Sequence, residues 1–380
     1  MLVKKWQDIL KTDVKFQKMK GMGEKFQASA PAPFVGRYGY PHVNVGLLCP
    51  PEMGNHTWQY DAPKFWHHEN YGTNEVVGFR GALVNSQVKA KVDEPVEFAQ
   101  LTALSMRPVD VEVELKKKPH WSLATDDVAA PTGPSAELSK IKLTSNAKIP
   151  TKVDKVVSDE LKSVEQIQTL YNAGFDEHYL SRILSVGTLG LDKRLVPTRW
   201  SITATDDMLA KHVLKDLKEQ STADYQMFYG SYLGNHYLIM LLPERWQYEL
   251  FEMMLPAKER LEVSTDYEGF RGRSRYAENC TGGYYSVRLA ITEKLAELKR
   301  QASVLVFRFV TPAYDTPLGV WVTREATRHA LAQQSIGFPN KESMLMYAKR
   351  MILEQHGFDV GKLFDHSKIL KETQMNLLSF

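Results

Sequence analysis

Leu2, Trp6, Ile9 and Leu10 recur at helical spacing among Lys4, Lys5, Lys11, Lys15, Lys18 and Lys20, and the pattern breaks over the Ala/Pro stretch 28–33. A short basic helix followed by a linker is predicted. Its lysines either reach a DNA phosphate or a partner, or stay in solvent while the apolar stripe packs on the body. From Phe34 to about Asn146 the apolar positions form short or alternating runs, Val43-Asn44-Val45, Val76-Val77-Gly78-Phe79 and 109–115, between frequent Gly and Pro. That pattern predicts strands, with the polar stretch 126–140 as a surface loop.

The period then changes. Residues 158–187 read as two consecutive helices, with Ser158 as N-cap, Asp159 and Glu160 in the first turn, and stops at Gly174 and Gly187. The pair is a helical hairpin or a helix-turn-helix; only His178 and Arg182 would face a DNA groove, which favours packing. Residues 199–204 read as a strand running into a helix that begins near Asp206. Further strands are expected at 237–242, 303–310 and 319–323, and helices at 284–300 and 341–355, the last ended by Gly357. No internal repeat of about 20 to 50 residues is visible. The sum is an α+β fold: a basic helix and linker (1–33), a strand-rich N-terminal domain (34–150), a mixed α/β C-terminal domain (151–365) and a flexible tail (366–380).

Charge narrows the function. With 48 basic and 45 acidic residues the net charge is +3, too near neutral for the whole chain to sheathe DNA, so any nucleic-acid contact must be a local patch. The longest apolar runs fall far short of the roughly 20 residues that cross a bilayer, so no membrane partner is expected. The lysine-rich start lacks the apolar stretch of a secretory signal. Cys49 and Cys280 form no C-x-x-C pair, which fits a reducing, cytoplasmic setting. Neither a G-x-x-x-x-G-K-[ST] loop nor a G-x-S-x-G elbow occurs, which argues against a P-loop ATPase and a serine-nucleophile hydrolase. His42, His56, His67 and His68 fall in one stretch, but none has the H-E-x-x-H spacing of a catalytic metal helix.

Four strings carry candidate chemistry. In Val196-Pro-Thr-Arg199-Trp-Ser-Ile-Thr-Ala-Thr205-Asp206-Asp207, the predicted strand empties into two carboxylates at a helix start. Asp206 and Asp207 with Thr205 either hold a divalent metal ion through hard oxygen ligands or simply cap the helix. Arg271, Arg273 and Arg275 fall within five residues, ahead of Gly282-Gly283 opening a helix. This is a phosphate or nucleotide site, or an ion-paired surface loop with an ordinary Gly turn. Arg37 and Tyr38 repeat the Arg/Tyr/Gly flavour near the N-terminus, and Arg199 adds a further phosphate-binding candidate.

Finally, Gln374, Leu377 and Phe380 are spaced by three, with Leu378 between. That is the period of a 3₁₀ turn, on which Leu377 and Phe380 would form one apolar plug, in a segment able to order on binding. The spacing resembles the PIP box, by which repair and replication proteins seize the sliding clamp PCNA. Ser379 stands where the commoner motif has the first of two adjacent aromatics.

Taken together, Phe34-Val-Gly-Arg-Tyr-Gly-Tyr-Pro, the stretch 126–135, Val196-Pro-Thr-Arg-Trp-Ser-Ile-Thr-Ala, Gly282-Gly-Tyr-Tyr and residues 374–380 resemble the archaeal Nre DNA-repair family, in particular its NreA type, which ends in a clamp-binding motif. The resemblance implies survival of DNA damage in cooperation with PCNA in an archaeal cell, and supplies no catalytic mechanism. Some members begin with a cysteine-rich zinc segment, where this chain has lysines instead, so no N-terminal structural zinc is expected. Two readings follow. One is a DNA-repair factor docked on PCNA, with arginine-rich loops holding DNA or a partner. The other is a clamp-tethered, metal-dependent phosphoesterase acting on a nucleotide or ADP-ribose-like phosphate.

Overall fold

The computed structural model describes residues 18–19, 22–120, 133–256 and 262–371. The chain divides into two compact units, Met1–Leu209 with Thr316–Leu318, and Ala210–Asp315 with Gly319–Phe380. Each holds a six-stranded sheet with helices, so the α+β class holds.

In the first unit the spatial order is β1 (Lys25–Ala30), β5 (Val109–Leu115), β6 (Ser135–Leu143), β4 (Val84–Lys91), β3 (His42–Cys49) and β2 (Ala32–Val35), antiparallel except for the β4–β6 pair. The Ala/Pro stretch 28–33 is therefore not a linker. Ala28, Ala30 and Ala32 are buried in β1 and β2, and Pro33 is tolerated because β2 is an edge strand. Between the strands lie α1 (Pro63–His68), α2 (Thr73–Gly81) and α3 (Glu97–Leu104). The run Val76-Val77-Gly78-Phe79, expected as a strand, sits wholly buried in α2; a short apolar run does not by itself separate a buried helix from a strand.

The predicted helical pair is α5 (Ser163–Asn172) and α6 (Glu177–Ser185), and a further helix, α4 (Thr151–Val157), precedes it. Ser158 closes α4 instead of opening a helix. Gly174 and Gly187, at φ +91 and +69, end α5 and α6 as expected. Arg182 serves packing: it donates to the carbonyls of Ala103, Pro31 and Ser105 at 3.2, 3.0 and 2.9 Å. His178 lies 3.2 Å from the Asp61 carboxylate.

Residues 199–204, expected as a strand, open α7 (Thr198–Leu217), within which the division between the units falls. The Pro197 carbonyl accepts from the amides of Trp200 and Ser201 and so starts the helix.

The second sheet runs β10 (Val263–Glu268), β9 (Gln247–Met254), β11 (Ser303–Val310), β8 (Asn235–Leu242), β7 (Gln226–Tyr232) and β12 (Ile336–Gly337), antiparallel except for β9–β11. Helices α8 (Thr281–Leu298) and α9 (Trp321–Ala332) pack together, and α9 lies so close on β7 that a Cβ on Gly230 would stand 2.7 Å from the Ala330 Cα. On the opposite face α10 (Lys341–His356) inserts Met344, Ala348 and Ile352 among Leu238, Met240, Phe307 and Phe309. The predicted strand at 319–323 is instead the start of α9, entered through Gly319 at φ +102. After the short helix α11 (Gly361–Phe364), buried Glu249 accepts from Ser367 Oγ at 2.6 Å and from the amides of Lys368 and Ile369 at 3.0 and 3.3 Å, anchoring the C-terminal segment on β9. Among the described residues no helix is long and apolar enough to cross a membrane.

Candidate nucleic-acid interface

In the first unit, exposed chemistry collects where the end of β2 meets the start of α7. The Val35 amide donates to Thr198 Oγ1 at 2.9 Å, joining positions 163 residues apart. That hydroxyl lies 3.2 Å from Ser185 Oγ, which donates to the Val196 carbonyl at 2.8 Å. The chain then turns through 37–41, where the His42 amide donates to the Gly39 carbonyl at 2.8 Å. Gly39 has φ +85, and a Cβ there would lie 2.7 Å from the His42 carbonyl oxygen, so the turn requires glycine.

This turn and the first helical turn of α7 present three aromatic rings to solvent: Tyr38, Tyr40 and Trp200 are 75%, 53% and 47% exposed. Tyr40 and Trp200 lie 5.6 Å apart between ring centroids, tilted at 48°. Arg37 donates to the Tyr38 hydroxyl at 3.0 Å with its guanidinium 4.9 Å from the ring centroid, and Arg199 is exposed beside Trp200. The Tyr40–Trp200 contact thus brings the turn that carries Arg37 and Tyr38 against the first turn of α7, which carries Arg199, through two rings that sequence reasoning did not single out.

Thr205, Asp206 and Asp207 are not at a helix N-terminus. They lie inside α7, where Thr205 and Asp206 are buried and Asp207 is half-buried. Adjacent helical positions point about 100° apart, so the two carboxylates do not converge. Among the described residues no group of three His, Cys, Asp or Glu could hold a metal ion.

In the second unit the arginine string divides. Arg271 and Arg275 are exposed, whereas Arg273 turns inward. Its Nη1 donates to Asp266 Oδ1 at 2.8 Å and to the Tyr267 carbonyl at 3.2 Å, Nη2 to the Tyr276 carbonyl and Nε to the Arg275 carbonyl, and it lies over the Tyr284 ring. Burial opposes its charge, but the Asp266 carboxylate holds its pKa above the ordinary arginine value. The second Asp266 oxygen accepts from the amides of Asn279 and Cys280 at 3.0 and 2.8 Å, just ahead of α8. The anion at this helix start is the protein's own carboxylate. Beside it opens a shallow depression of about 360 Å³, lined in part by Thr265, Ser274, Arg275, Asn279 and Lys368.

Gly283 lets α8 approach Glu252 of β9, since a Cβ there would stand 3.1 Å from Glu252 Oε1. Glu252 accepts from Arg308 Nη1 at 2.6 Å, and Arg308 also donates to Asn235 Oδ1. Deeper still, Arg288 Nη1 donates to Glu268 Oε2 at 2.7 Å, both side chains 2% exposed or less, and Trp246 Nε1 donates to Glu268 Oε1 at 3.1 Å. These buried pairs had a sequence signal, an arginine inside an apolar run: Val287-Arg288-Leu289 and Phe307-Arg308-Phe309. Both cysteines are free and buried; burial pushes the Cys49 thiol up to about 12 and raises Cys280 further, which removes them as nucleophiles. Most of the string 126–135, and all of the terminal motif with Gln374, Leu377, Leu378 and Phe380, lie outside the described residues.

Two family models match the chain, "Archaeal Nre, N-terminal" over residues 3–258 and "Archaeal Nre, C-terminal" over residues 268–380. The chain belongs to the archaeal Nre family. This Nre chain is 36% identical over 360 residues to a protein of Archaeoglobus fulgidus named DNA repair protein NreB, covering 92% of the chain and 90% of the relative. It is 35% identical over 321 residues to DNA repair protein NreA of Haloferax volcanii (79% and 76% covered). The NreA of A. fulgidus is 36% identical over 340 residues (85% and 84%). No solved structure matches.

Proposed function

We propose that this Nre protein acts in DNA repair, contacting DNA through the exposed rings of its first unit and the arginines Arg37 and Arg199, and docking on the sliding clamp PCNA through Gln374, Leu377, Leu378 and Phe380. The relatives, named as DNA repair proteins, supply the setting. The observation that carries the DNA contact is the surface of Arg37, Tyr38, Tyr40, Arg199 and Trp200, which leaves large rings in water beside guanidinium groups. Such a pairing suits a partner offering both flat apolar faces and phosphates. Support for clamp docking is the three-residue spacing of the terminal motif, just beyond a segment anchored on Glu249. The phosphoesterase reading would draw on Asp206, Asp207 and the arginines of 271–275, and no geometric observation favours it over the first.

Deleting residues 374–380 is expected to abolish clamp binding in isothermal titration calorimetry while leaving the thermal transition and DNA affinity intact. Undiminished heat of clamp binding would sink the docking arm of the proposal.

A further inference from the structure

Resting on that reading, we propose that the first unit's aromatic surface takes single-stranded DNA, with unpaired bases stacked on Tyr38, Tyr40 and Trp200 and the connecting phosphates met by Arg37 and Arg199. Large rings left in water have no reason to stay together unless something covers them, and here the backbone holds them in place. The bond from Val35 to Thr198 and the Gly39 turn fix the two strings that carry them. Tyr40 and Trp200 meet at 5.6 Å between centroids and still keep about half of their surface exposed.

A duplex offers no matching surface. Its bases bury their faces in their own stack and present only edges and phosphates. An unpaired base exposes a π-face that any aromatic ring can take, whatever the sequence. Charge argues the same way: two arginines on a chain of net charge +3 supply too few phosphate contacts to hold a duplex electrostatically. Stacking must supply the remainder, and stacking requires a single strand.

The test is fluorescence anisotropy on the full chain with a labelled single strand of about twelve nucleotides, its duplex and the RNA of the same sequence. The single-stranded DNA is expected to bind most tightly. Tyr38→Ala and Trp200→Ala should each weaken it by roughly five- to hundredfold, the range of one lost base stack. Trp200→Phe should keep affinity while removing part of the DNA-induced fluorescence quenching. Two phosphate contacts predict a log–log salt slope of about −1.4. All substituted side chains are solvent-exposed, and an unchanged thermal transition of the same samples checks that each variant is folded. Duplex binding as tight as the single strand and indifferent to the rings overturns this inference and leaves the DNA-repair reading standing. Tighter RNA binding overturns it as well. No binding to any nucleic acid removes both this inference and the proposed DNA contact, while clamp docking is judged separately.

Discussion

Two arginine- and tyrosine-rich strings look alike in sequence and do opposite things in the fold. The string around Arg37, with its partner around Arg199, keeps the rings of Tyr38, Tyr40 and Trp200 and the Arg199 side chain exposed. The string from Asp266 to Tyr285 turns much of the same chemistry inward: Arg273 closes on Asp266, Arg288 on Glu268, and Tyr284 lies beneath both guanidinium groups. The difference lies in the carboxylates. Asp266 and Glu268 sit two apart on β10, so they share a face of the strand and offer both arginines a buried partner. The turn 36–41 carries no acidic residue. Composition marks both strings as candidates, and the acids on β10 turn Arg273 and Arg288 inward.

The largest effect expected from this contrast is at Glu268. Glu268→Ala removes the carboxylate that pairs with the fully buried Arg288 and the acceptor of Trp246 Nε1. Chemical denaturation of the variant should show a loss of about 3–5 kcal/mol. A loss under about 1 kcal/mol would mean that the inward string is not held by its charges, and the contrast with the Arg37 surface would collapse.

A second test asks whether the contrast belongs to the units or to the partner acids, because the first unit has an inward cluster of its own. Asp61, its side chain 10% exposed, lies 3.2 Å from His178 and 3.5 Å from Arg80. Burial would raise its pKa, but His178, then Arg80 and Arg182, hold the carboxyl far below the usual carboxylate range. A depressed carboxyl stabilises the fold fully above its unfolded pKa of about 3.9, and the contribution is lost as pH falls from there toward the folded value. Asp61→Asn is therefore expected to cost about 2 kcal/mol at pH 7 and to make the acid limb of the stability profile shallower. The cost is smaller than at Glu268 because the amide retains an acceptor and Arg182 keeps its three carbonyl partners. A variant whose stability falls in parallel with the parent below about pH 4 would show that Asp61 carries no such linkage.

What was legible beforehand follows the same physics. Strand β11 was readable to its ends because a central strand covered on both faces is a continuous apolar run, and α10 because its C-cap is a left-handed glycine, Gly357. The start of α7 was not: Trp200, Ile202 and Thr203 favour strands locally, and only Pro197 immediately before them signals a helix start. Likewise Arg37, Tyr38 and Arg199 could be named from sequence, but not their assembly with Tyr40 and Trp200, which depends on a hydrogen bond between residues 163 apart. The role of Asp266 was hidden for a similar reason. A carboxylate on a strand becomes a helix-start anion only once the chain between β10 and α8 folds back on it.

The smallest expected effect is the most discriminating. If the exposed groups beside Arg37 do not support the fold, Tyr38→Ala and Arg199→Ala should each change unfolding free energy by no more than about 0.5 kcal/mol, as surface substitutions do. The Arg37–Tyr38 contact does not alter this, since both groups are accessible to water, which screens the pair and replaces its hydrogen bond. Losses of about 2 kcal/mol or more in guanidinium unfolding would show that these side chains support the fold as Glu268 does. The two strings would then be alike after all, and the exposed rings would need no ligand to account for them.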